Sequence, residues 1–92
     1  MKPAEKLADA RTAFEHGAHA RARDLAWRAA ASAARVNDAE VLAGVVSLTE
    51  ALPDSEQLRV YAEAALEDAR NGTRPPSAAE RLFGIFKRRD AP

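Results

Sequence analysis

Glu15-His16-Gly17-Ala18-His19 is the stretch of this 92-residue chain where side chains able to bind a metal crowd together. Two imidazoles and a carboxylate would supply three ligands of a zinc site. Gly17, however, interrupts the helix that would align them, and no fourth ligand lies near in sequence. The stretch therefore reads as a polar turn. The chain contains no cysteine, which excludes disulfides, thiolate nucleophiles and zinc-thiolate sites. It shows no glycine-rich phosphate loop, no serine set beside a histidine and no carboxylate pair in a pocket-forming context. No catalytic residue, metal or cofactor is expected. Arg21, Arg23, Arg28 and Arg35 give one segment a basic side that could meet phosphate. The missing helix-turn-helix signature and the many carboxylates elsewhere favour a solvated face instead.

The net charge is zero, but the charges are sorted along the chain. Residues 1–36 hold seven basic and four acidic groups, 37–69 hold one and eight, and 70–92 hold six and two. A protein that bound nucleic acid over its whole surface would carry a positive balance, so this pattern argues against that role and permits a local basic contact. The most concentrated contact signal is Ser77-Ala-Ala-Glu-Arg-Leu-Phe-Gly-Ile-Phe-Lys-Arg-Arg89. It places Phe83 and Phe86, two of five aromatic residues, directly before Lys87, Arg88 and Arg89.

The elements that would position these residues are helical. Alanine occurs 23 times, runs rich in valine, isoleucine and threonine are missing, and most glycines and prolines fall where a helix would start or stop. The expected fold is all-α: antiparallel helix pairs with a C-terminal capping or tail helix. Apolar spacing predicts a first helix over 4–16, with Leu7, Ala10 and Phe14 on one face and Glu5, Thr12 and Glu15 on another, ending at Gly17. A second helix over 18–36 carries two apolar stripes, one of Ala22, Leu25, Ala26, Ala29 and Ala33, the other around Trp27. It should therefore have neighbours on two sides. Asn37-Asp-Ala-Glu40 has the form of a capping box opening a third helix over 38–52, with Leu42, Val45, Val46, Thr49 and Leu52 inward. Asp54-Ser-Glu-Gln57 repeats the pattern before a fourth helix over 54–70. That helix aligns Leu58, Tyr61, Ala62, Ala65, Leu66 and Ala69. One domain over 1–72, a proline-rich linker at 73–76 and an amphipathic helix over 77–89 complete the expectation.

The run from Gly17 to Ala30 resembles the second helix of a tetratricopeptide repeat, with Ala22, Ala26 and Ala29 at the family's spaced positions, although Ala26 stands where the family carries a large residue. Leu7 and Phe14 fall where the first helix of such a repeat carries its large and aromatic residues. Leu42, Val45, Thr49, Ala62, Ala65 and Leu66 follow the same layout about 36 residues on, close to the family's period of about 34. Val46 and Leu58 depart from it by being large where the family has small residues. An unrelated antiparallel bundle is the alternative. The resemblance implies a groove lined by the first helix of each pair, exposing Glu5, Ala8, Thr12 and Glu15, then Glu40, Ala43, Ser47 and Glu50. Such a groove would favour a basic peptide; otherwise its glutamates are merely the solvated faces of two helices.

Residues 77–89 leave three readings open. They are a lid over the last helix pair, a membrane-surface helix similar to the C-terminal anchors of some bacterial membrane-associated ATPases, or a basic peptide for another protein or another copy. The expected function is a non-catalytic interaction or adaptor module. The alternatives are a peripheral membrane or nucleic-acid binder and a structural bundle that self-associates through the Trp27 face. The charged start has no apolar run of signal-peptide length and no stretch nears membrane-spanning length, so a cytoplasmic location is expected.

Overall fold

A computed structural model describes residues 2–71, so the linker at 73–76 and the helix expected over 77–89 lie outside the described residues. The fold is all-α, with α1 at Pro3–Glu15, α2 at His19–Arg35, α3 at Ala39–Ala51 and α4 at Glu56–Asn71. Pro3 opens α1 at a position where its missing N–H would have no helical partner anyway.

The first two turns share one construction. Gly17 (φ 76°) and Asn37 (φ 54°) take the left-handed conformation after α1 and α2. In each, the next N–H reaches back over the helix end: Ala18 to the Ala13 carbonyl and Asp38 to the Ala33 carbonyl, both at 2.9 Å. This is a Schellman closure, which satisfies carbonyls the helix leaves unpaired and reverses the chain within three residues. The expected cap at Asn37 is thereby corrected. Asn37 ends α2, while Asp38 caps α3, its Oδ1 accepting from the Val41 N–H at 3.2 Å. A residue held at positive φ cannot take the extended backbone that an N-cap needs, so the side chain one place on does the capping. Asn37→Val should therefore destabilise the domain by about 1–2 kcal/mol, and Asn37→Gly should leave it unchanged or slightly more stable, as thermal melts would show.

The third turn is corrected in the same way. Asp54 is left-handed (φ 53°) and Ser55 directly precedes α4. The buried Ser55 hydroxyl donates back to the carbonyls of Leu52 (2.6 Å) and Thr49 (3.0 Å), so it closes α3.

These reversals set α1 against α2 and α3 against α4 as antiparallel pairs. α2 also touches α3 and α4, and α1 touches α3, whereas α1 and α4 do not meet. The two-stripe pattern of α2 is thus met by neighbours on several sides. Its Ala22, Ala26, Ala29, Ala30 and Ala33 are all fully buried. Around Ala26, Ala29, Ala30 and Ala33 lie Leu7, Val41, Leu42, Val45, Leu48, Leu58 and Leu66 from the other three helices, while Ala22 packs with Ala13 and Leu52. Where α2 presents only methyl groups, its neighbours supply the bulk, and the helices approach closely. Lys6 Nζ donates to Ser32 Oγ at 2.9 Å and ties α1 to α2 at the surface.

Candidate functional site

The residues expected to form a groove begin as the outward positions of α1 and α3. Each is set there because the buried positions of the same helix, Leu7 and Ala10 in α1 and Leu42 and Val45 in α3, face the core. Glu5, Ala8, Thr12 and Glu15 are exposed on α1; Glu40, Ser47 and Glu50 are exposed on α3, with Ala43 half-buried. The Thr12 hydroxyl is turned onto its own helix and donates to the Ala8 carbonyl at 3.1 Å.

α1 and α3 meet through a residue that sequence reasoning overlooked. Gly44 sits in the middle of α3, where glycine weakens a helix. A Cβ placed on it would lie 2.6 Å from Leu7 Cδ2 and 3.1 Å from an Arg11 guanidinium nitrogen. The missing side chain is what lets the Leu7 isobutyl group and the Arg11 guanidinium lie on α3. A lone glycine inside an otherwise periodic apolar helix was the signal that could have revealed this approach.

Two cations therefore qualify the acidic face. Arg11 crosses from α1 onto α3. On α4, Arg59 Nε donates to Glu63 Oε1 at 2.7 Å, and Glu63, with Glu50 of α3 and Glu56 at longer range, raises the Arg59 pKa above its ordinary value. A raised folded pKa means that whatever this pairing contributes is present below the ordinary arginine value and is lost only above the raised one. No change of pH near neutrality switches it, while salt screens it.

The arginines of α2 are dispersed and partly engaged. Arg23 donates to the Pro53 carbonyl at 3.0 Å, and Arg28 pairs with Asp24 at 3.3 Å on the exposed surface. Arg21 lines a shallow depression with Asp9 and His16, and Arg35 is exposed in the last turn. Trp27 is half-buried and packs on Tyr61 of α4, ring centroids 5.3 Å apart and planes inclined by 44°. His19 stacks on Phe14 across the first turn, at 5.5 Å and 28°. No group of three or more metal-ligating side chains comes together among the described residues. Phe83, Phe86, Lys87, Arg88 and Arg89, the remaining expected contact residues, lie outside the described part.

No helix among the described residues is long and apolar enough to cross a membrane. Comparison with family models, curated proteins and solved structures finds no match to this chain.

Proposed function

We propose that the protein is a non-catalytic interaction module of tetratricopeptide-like architecture, acting in the cytoplasm, whose α1–α3 face receives a basic segment of another protein. The observation that carries this reading is the side-by-side placement of α1 and α3, with Glu5, Glu15, Glu40 and Glu50 all exposed. The separation of α1 from α4 supports an open stack of helix pairs, because a closed four-helix bundle brings its first and last helices together. A stack presents one helix of each pair along a shared face, which suits an extended or helical peptide. Arg11 reaches α3 within that face, so the preferred ligand places an acidic or neutral residue opposite it.

The test is isotope-edited NMR of the full chain titrated with short peptides that carry lysine or arginine beside phenylalanine or leucine, with acidic peptides as controls. Shifts should concentrate at α1 and α3. Reversing four exposed charges together (E5K, E15K, E40K, E50K) should weaken binding by about tenfold or more, since each rim contact contributes a few tenths of a kcal/mol. Equal binding of acidic and basic peptides, or shifts confined to α2, would end this reading.

A further inference from the structure

α4 completes the described helices with one side against α2 and α3 and the other facing outward. On the outward side Val60 is 49% exposed, among exposed Glu56, Glu63 and Glu67 at helical spacing. Toward the C-terminal end, Glu63, which pairs with Arg59, and Glu67 flank a shallow groove whose floor is the largely buried Leu66 and whose end is Arg70 and Asn71. One exposed apolar residue among three carboxylates suits a segment in which apolar and basic residues adjoin.

Such a segment follows in the same chain. Residues 70–92 carry six basic and two acidic groups against one and eight for 37–69, and they include Phe83 and Phe86. Reach favours the same molecule. Five residues, the number between Asn71 and Ser77, reach at most roughly 18 Å, and Glu63 lies about 12 Å back along the helix from Asn71. A tether this short gives the segment an effective concentration of about millimolar at its own α4, above that of a second copy under ordinary conditions.

We propose that residues 77–89 dock on the outward side of α4 of their own chain, with an aromatic residue of the segment against Val60, and Lys87, Arg88 and Arg89 among Glu56, Glu63 and Glu67. This stands on α4 alone and does not depend on the α1–α3 reading.

The absence of native cysteine allows a clean test in the full chain: a nitroxide attached at A91C, with amide signals of isotope-labelled protein read for paramagnetic broadening. Docking predicts that the amides from about Glu56 to Glu67 lose most of their intensity when label and isotope share a molecule. It predicts no loss when spin-labelled, isotope-free chains are mixed with isotope-labelled chains lacking the nitroxide. The broadening should vanish in the K87E/R88E/R89E variant. Broadening of the same amides in the mixed sample as well would assign the segment to a second copy and overturn the proposal. Sharp α4 signals throughout would overturn it too, as would sharp α4 signals with the 77–89 resonances lost on adding phosphatidylglycerol vesicles, which would place the segment on a lipid surface.

Discussion

Leu42→Ala is expected to lower stability by about 3 kcal/mol, among the largest effects of any single truncation in the domain. Leu42 is fully buried and ranks with Leu58 and Val45 as the largest such side chains. It stands on α3 within the cluster shared by all four helices. Truncation removes both its transfer free energy and the contacts of the atoms that surround it. The hole closes only in part, because the fully buried positions of α2 are all alanine and a close-packed interior relaxes incompletely around a truncation. A domain of this size has only a few kcal/mol to lose. The melting temperature should fall by roughly 12–24 °C. Val36→Ala, at a site 66% exposed, is the control and should change stability by less than about 0.5 kcal/mol. Equal, small effects at both positions in calorimetry would refute the packing described for α3.

Ala29→Leu should be nearly as damaging for the opposite reason. Ala29 has no exposed surface and lies on the helix that touches all three others. Three added carbons must be placed where backbones approach over methyl groups, so either the rotamer is strained or a neighbouring helix moves outward. The expected cost is about 2–3 kcal/mol, even though leucine is almost as good a helix former as alanine. Ala20→Leu, at an exposed position of the same helix, should change stability by less than about 0.5 kcal/mol. The pair separates packing from propensity, since both substitutions are identical in chemistry and differ only in what surrounds them. Similar melting temperatures for the two variants would show that α2 is not the central helix.

Much of this was readable from residue order because local rules dominate where they act. Gly17 and Pro53 mark helix ends through backbone sterics alone. The helix spans expected over 4–16, 18–36, 38–52 and 54–70 differ from the observed ones by one or two residues at each end. The capping residues were misplaced where two local motifs overlap. Asn37 fits a cap by type, but the Schellman closure of α2 takes that position first and passes the capping to Asp38. Likewise Ser55 turns back to α3 because its hydroxyl is buried beside two unpaired carbonyls. On the candidate face, exposure of Glu5, Glu15, Glu40 and Glu50 follows from helical periodicity. The cations among them do not, because Arg11 reaches α3 only where Gly44 leaves room.

The sequence by itself determined the number and approximate limits of the described helices, their buried and exposed sides, and the segregation of charge along the chain, since each depends on residues within a few positions of one another. Tertiary structure alone decided that α2 is the shared centre, that α1 lies beside α3 and apart from α4, and that Trp27 packs on Tyr61. Alanine makes this so. A methyl group marks a position as fit for burial, but it carries too little shape to select its neighbour, and the pairing is settled only when the larger side chains of α1, α3 and α4 close over it.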